Sequence, residues 1–140
     1  MINQTENDLI VKAIQEAEKQ TSGEIRVHID QKCASDPVKR AVLVFEKLGM
    51  HKTALRNGVL IYVSFSDRKL AVIGDQGIHD RVPADFWDST RNKMIAAFKE
   101  NRFADGIIAA ITEAGIQLRA YFPYSDTDEN ELSNEISTEA

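Results

Sequence analysis

The chain has 140 residues, 43% of them hydrophobic and 28% charged, which is typical of one globular domain with a buried core. The only cysteine, Cys33, excludes an internal disulfide and a cysteine-based zinc site. The net charge of −5 comes from residues 124–140, which hold six acids and no base. Because residues 1–123 are close to neutral, we expect no nucleic-acid partner.

The first residues, 1–8, are polar and acidic, and they lack the basic and apolar regions of a secretory signal. No apolar run approaches the roughly 20 residues that a membrane-spanning helix needs. A lone thiol is typical of a reducing compartment. These features predict a cytoplasmic protein without a membrane span.

The spacing of apolar residues predicts four helices and three strands in the order α-β-α-β-β-α-α. In chain order, the first half contains a helix over 6–20 capped by Thr5 and Asp8, a strand over 24–30, and a helix that Asp36 and Pro37 open and Gly49 ends. The second half contains strands over 59–63 and 70–73, a helix opened by Pro83 and Asp85, and a helix from about Asp105.

The patterns of the strands predict their positions in the sheet. The strand over 24–30 alternates polar and apolar residues, so we expect it at an edge or under a light cover. The strand over 59–63 is apolar throughout and should be central. The fold class is therefore α/β, with helices on both sides of a small mixed sheet over residues 1–123. Residues 124–140 are expected to form a disordered acidic tail.

Acidic residues converge at one end of this predicted sheet. If the first two strands are parallel and the third is antiparallel, the N-terminal ends of the first two meet the C-terminal end of the third; we call this the lower end. It collects the carboxylates of Glu24, Asp75 and Asp80. Carboxylates beside hydroxyl, amide and carbonyl oxygens suit Ca²⁺ or Mg²⁺. Possible accessory residues are Ser22, Arg56, Asn57, Gly77, Asp85 and Asp88. The alternative to a metal site is that Glu24 and Asp75 are solvent-exposed charges at the ends of strands.

Other reactive residues have simpler interpretations. His28 lies on the polar face of its strand, so we expect a surface histidine. Cys33 lacks the arginine spacing and the glycines of a cysteine-phosphatase loop. Asp67 and Arg68 are typical of a hairpin turn. In the tail, Asp126 opens an EF-hand-like rhythm that lacks the required glycine and final glutamate.

Four stretches resemble, in order and spacing, the TPM domain, a family named for thylakoid-lumen, photosystem II and acetylcholine-receptor-associated members. The resemblance extends over about residues 5–122 and is carried by residues 21–27 (TSGEIRV), 56–63 (RNGVLIYV), 67–69 (DRK) and 72–78 (VIGDQGI). It implies an α/β/α sandwich, a divalent-cation site and, in some plant members, a phosphatase activity. Where many members have an aromatic residue between two glycines, this chain has Asp75 and Gln76, which adds a carboxylate.

We therefore predict a Ca²⁺-preferring TPM-like domain that acts as a binding or regulatory module, with Glu24, Asp75 and Asp80 as ligands and Mg²⁺ as the other candidate ion. One alternative is a metal-assisted acid phosphatase in which Arg56 steadies phosphate charge. Another is a metal-independent protein-interaction domain whose acidic end binds a basic protein partner.

Overall fold

A computed structural model describes residues 2–125 and 130–138. The helices are α1 (Gln4–Glu18), α2 (Pro37–Lys47), the one-turn α3 (Gln76–His79), α4 (Asp88–Lys99) and α5 (Phe103–Arg119), and a 3₁₀ turn covers Met50–Lys52. The strands are β1 (Glu24–Asp30), β2 (Gly58–Ser64), β3 (Lys69–Gly74) and the two-residue β4 (Ser137–Thr138).

The sheet has the order β3-β2-β1-β4. β1 runs parallel to β2, with Glu24 opposite Gly58 and Asp30 opposite Ser64. β3 runs antiparallel to β2, with Gly74 opposite Val59. The predicted directions of the first three strands are therefore confirmed, and the fold is the predicted α/β arrangement with helices on both sides of a mixed sheet.

Both faces of β2 are covered, because all seven of its residues are buried. Val59, Ile61 and Val63 face the larger core, which α1, α4 and α5 close. Leu60 and Tyr62 face a smaller core closed by α2. Burying side chains of this size contributes about 1.5–3 kcal/mol each, so the central strand stabilises both layers.

Two helix starts differ from the sequence prediction. The capping residue of α1 is Asn3, whose side chain accepts from the Glu6 backbone, while the Glu6 carboxylate accepts from the Asn3 backbone. The predicted cap at Thr5 is thus wrong by two residues, because Asn3 and Glu6 have the same capping spacing. The glycine-rich turn after β3 contains α3, and the helix expected from Pro83 begins as α4 at Asp88.

The described part of the predicted tail packs on the domain, which differs from the expectation of disorder. Residues 126–129 and 139–140, including the EF-hand-like Asp126, lie outside the described residues. Residues 130–138, here called the C-terminal segment, lie along the outer edge of β1. Its side chains Leu132 and Ile136 pack on the two cores, and β4 pairs with His28 and Ile29. β1 is therefore an inner strand of the sheet.

A membrane span requires a helix of sufficient length and apolar character. Within the described residues, no helix is long and apolar enough to cross a membrane.

The two candidate caps of α1 give a direct test. Asn3→Ala should lower the free energy of unfolding by about 1 kcal/mol, because it removes the acceptor of the Glu6 amide. Thr5→Ala, already inside the helix, should change it by less than about 0.5 kcal/mol. Urea unfolding of both variants measures the difference, and a larger loss in Thr5→Ala would return the cap to Thr5.

Candidate functional site

The strand register brings the predicted lower-end residues together. Glu24 begins β1, Asn57 precedes β2 and Asp75 follows β3. Two backbone bonds connect these positions: the Glu24 amide donates to Asn57 O at 3.2 Å, and the Asp75 amide donates to Gly58 O at 2.9 Å. Asn57 Nδ2 also donates to Ser22 O at 3.2 Å.

Asp75 is held by Arg56 in a two-point ion pair. Arg56 Nε lies 2.7 Å from Asp75 Oδ2, and Arg56 Nη2 lies 2.8 Å from Oδ1. The Asp75 side chain is 6% exposed, whereas half of the Arg56 side chain is exposed. Hydrogen bonding to Asp75 raises the pKa of Arg56. Asp75 also caps α3 by accepting from the Gln76 amide at 2.8 Å, so its carboxylate orders both loops of the lower end.

The other predicted ligands have separate partners. Glu24 is buried and accepts from the Leu132 amide at 2.8 Å. Asp80 ends α3, where it accepts from Gln76 Nε2 at 2.6 Å. At the start of α4, the Asp85 carbonyl accepts from the amide of Asp88, whose carboxylate pairs with Arg91.

The predicted ligands each have a protein partner in this arrangement. Among residues 2–125 and 130–138, no group of three or more His, Cys, Asp or Glu side chains could hold an ion. A cation at Asp75 would compete with Arg56, and one at Glu24 would compete with the Leu132 amide. Calcium and magnesium binding therefore stay predictions.

Gly77 allows α3 to lie directly against the loop before β2. Its amide donates to Arg56 O at 2.8 Å. A Cβ added at Gly77 would overlap the carbonyl oxygens of Leu55 and Arg56. The Arg56 backbone has a φ of 51°, in the left-handed region. Gly77 is thus required for the close packing that holds Arg56 next to Asp75.

A groove borders this ion pair on the α2 side of the sheet. It has a volume of about 720 Å³. Its apolar lining residues are Val38, Val42, Phe45 and Ile73. Its polar and charged lining residues are Glu46, His51, Arg56, Asp75, Gln76 and His79. We call it the α2–α3 groove; its size and mixed lining are typical of ligand sites.

Glu18 is a lower-end carboxylate that the sequence analysis missed. Its Oε2 accepts from the Ile25 amide at 2.9 Å. Burial, with a smaller contribution from the nearby Glu24 charge, raises the pKa of Glu18 to about 8, although the Ile25 hydrogen bond opposes the shift. Helical spacing places Glu18 at the end of α1, but only the turn into β1 brings it to the lower end.

The opposite end of the sheet holds a buried polar cluster around Asp30. His28 Nε2 lies 2.7 Å from Asp30 Oδ1, and Arg40 Nε lies 2.8 Å and the Tyr62 hydroxyl 2.7 Å from Asp30 Oδ2. Burial alone would raise the pKa of Asp30, but the hydrogen bonds from Arg40, Tyr62 and His28 outweigh it and hold the value at about 2. His28 is fully buried, so the prediction of a surface histidine is wrong. The alternation along β1 could not reveal that the C-terminal segment covers its edge.

The fold and site define a small α/β domain with structurally engaged strand-end carboxylates and an adjacent ligand-sized groove. The chain matches the TPM domain over residues 1–117 and belongs to that family. None of the curated proteins compared matches the chain.

Solved structures agree with this assignment. The chain is similar to the BA42 protein of the psychrophilic bacterium Bizionia argentinensis, with 45% identity, a TM-score of 0.94 and coverage of 99% of this chain and 96% of that one. The N-terminal domain of the cg2496 protein from Corynebacterium glutamicum shares the fold, with 13% identity, a TM-score of 0.67 and coverage of 100% and 81%. An N-terminal domain from P. gingivalis also shares it, with 12% identity, a TM-score of 0.71 and coverage of 86% and 78%.

The close packing at Gly77 predicts a destabilised variant. Gly77→Ala should lower the free energy of unfolding by about 1–3 kcal/mol, because the new methyl group must displace two carbonyl oxygens. Urea unfolding measures the loss. Gln76→Ala, which loses only an exposed contact with Asp80, should cost less than about 0.5 kcal/mol. Equal stability of Gly77→Ala and wild type would contradict the packing.

The raised pKa of Glu18 predicts a pH-dependent stability. Between pH 4.5 and about 8 the folded state keeps a proton that the unfolded state releases, so the free energy of unfolding falls as the pH rises. Glu18→Gln should remove about 1–2 kcal/mol of this fall. Urea unfolding at pH 5, 6.5 and 8 measures the slope, and Glu16→Gln, at an exposed site on the same helix, is the control. Parallel slopes for wild type and Glu18→Gln would count against a buried, protonated Glu18.

Proposed function

We propose that this TPM domain acts as a binding module whose ligand enters the α2–α3 groove. The observation that carries the proposal is the position of the groove. It lies against the Arg56–Asp75 pair, at the lower end of the sheet, where three of the four sequence motifs (residues 21–27, 56–63 and 72–78) meet. Its apolar and its polar residues line one ligand-sized volume.

The lining favours a ligand with an apolar body and an acidic group. Val38 and Val42 are 50% and 44% exposed on α2, so this side of the groove offers apolar surface to a ligand. Arg56 keeps half of its side chain exposed while paired with Asp75. A planar guanidinium donates to more than one carboxylate, so Arg56 can orient an acidic group while Asp75 fixes its position.

A binding role also agrees with the chemistry of the lower-end carboxylates. Asp75 pairs with Arg56, and Glu24 accepts from the Leu132 amide. Carboxylates that are hydrogen-bonded in this way hold the loops in position, and a ligand that displaced their hydrogen-bond donors would lower the free energy of unfolding. The Ca²⁺-dependent module and the metal-assisted acid phosphatase both require such a displacement at Asp75, so they rank below a metal-independent binding module.

The test follows backbone amide shifts of the ¹⁵N-labelled full chain. Decanoate, added below its micelle concentration, is the probe with an apolar body and an acidic group, and decanol is its uncharged match. We expect saturable shifts at Val42, Ile73 and Gly74 with decanoate and weaker ones with decanol. Val42→Asp should abolish them, because it places a charge among the apolar residues that line the groove. Leu43→Asp, exposed on the same helix outside the groove, should keep them.

The same samples separate the alternatives. No saturable decanoate shift, or equal shifts in Val42→Asp, would reject the groove as the ligand site. Saturable Ca²⁺ or Mg²⁺ shifts at Glu24 and Asp75 that disappear in Asp75→Asn would support the cation module instead. Metal-dependent hydrolysis of p-nitrophenyl phosphate, lost in Asp75→Asn, would favour the acid phosphatase.

A further inference from the structure

The outer edge of β1 is covered along its length by the C-terminal segment, residues 130–138. At the lower end, the Leu132 amide donates to Glu24 Oε1 at 2.8 Å, and the Ala54 amide donates to Glu131 Oε2 at 3.1 Å. The Leu132 side chain packs on the α2-side core. This end of the edge therefore binds one apolar and one acidic side chain of an extended chain.

The middle of the edge is positively charged. Burial lowers the pKa of Arg26, and attraction to the Glu135 carboxylate opposes that shift. Among the described residues, Arg26 Nε is buried without a hydrogen-bond partner. The Ile136 side chain packs on the larger core beside this position. Charge complementarity thus favours an acidic residue followed by an apolar one.

The far end of the edge recognises a hydroxyl group. Ser137 Oγ lies 3.0 Å from His28 Nδ1, while His28 Nε2 faces Asp30 Oδ1 at 2.7 Å. Because the Asp30 carboxylate accepts, Nε2 carries a proton, and Nδ1 is left to hydrogen-bond with the Ser137 hydroxyl, a group that can both donate and accept. Arg40 and Tyr62 hold Asp30 in place. The ring is therefore positioned to select a hydroxyl at this point.

The segment is held by few interactions for its length. Of residues 130–138, Ser137 and Thr138 pair with β1, in the parallel arrangement. A groove of about 630 Å³ lies between α1 and the segment at Glu135 and Ile136. Ordering a residue costs about 1–2 kcal/mol of backbone entropy. A segment joined to the domain through its own chain competes at an effective concentration that a free peptide must exceed.

We propose that the outer edge of β1 is a peptide-binding groove for an extended acidic segment of a partner protein, and that the C-terminal segment is its built-in competitor. The partner would add a strand to the sheet, as edge-binding peptides do. Its chemistry follows the contacts made by residues 131–137 (ELSNEIS): a hydroxyl residue opposite His28, apolar residues one and five positions before it, and an acid opposite Arg26. This site follows the outer edge of β1, whereas the α2–α3 groove borders β3 two strands away, and its proposal does not depend on that groove.

The experiment removes the competitor within the full chain. The double variant Leu132→Asp, Ile136→Asp should release the segment and shift the amides of Arg26, His28 and Ile29, while the amides of β3 and α5 stay in place. A synthetic peptide of residues 130–138 added to it should return these amides saturably toward their wild-type positions. The same peptide with Ser137→Ala should bind about threefold to tenfold more weakly, because it loses the hydrogen bond to His28. Leu43→Asp is the control for adding surface charge.

Three results would overturn the proposal. The first is an unchanged β1 edge in the double variant, and the second is a released edge that shows no saturable response to several millimolar peptide. The third is a wild-type dimer that the double variant loses, which would assign the edge to a second copy of the chain. If the double variant does not fold, Ser137→Ala in the full chain replaces it. Free peptide should then displace the segment at a lower concentration than in wild type, and equal concentrations would also overturn the proposal.

Discussion

The parallel pairing of β1 with β2 decides which side chains can meet at each end of the sheet. With Glu24 opposite Gly58 and Asp30 opposite Ser64, the N-terminal ends of both strands lie at the lower end. β3 returns antiparallel and brings Asp75 to that end. A slip of one residue would turn every side chain of β1 to the other face. It would remove Ile25, Val27 and Ile29 from the larger core, so their burial makes the register strict. The α2–α3 groove and the β1 edge both depend on this register.

The buried carboxylates show how the domain satisfies its polar groups. Asp75, Glu24 and Asp30 are each at most 6% exposed, and each accepts hydrogen bonds from specific donors. A buried charge without a partner is costly, so these bonds are a condition of the fold. The two proposed binding surfaces lie beside these acids.

The two surfaces lie in different parts of the sheet. The α2–α3 groove borders β3, whereas the peptide groove follows the outer edge of β1. A ligand in the first has no direct competitor within the described chain, but a peptide in the second must displace the C-terminal segment. The same domain could therefore bind one ligand directly and a second only when that partner exceeds the local concentration of the tethered segment. Membership of the TPM domain family does not by itself distinguish these modes.

The sequence by itself determined the local elements and their order. Apolar periodicity identified β2 as central, Asp36 and Pro37 marked the start of α2, and strand directions placed Glu24, Asn57 and Asp75 at one end. Tertiary structure decided what those residues do. The bonds of Asp75 with Arg56, of Glu24 with Leu132 and of His28 with Ser137 join positions 19, 108 and 109 residues apart. Periodicity and capping report on neighbours within a few positions, whereas such distant contacts exist only after the layers pack and bring the segments together.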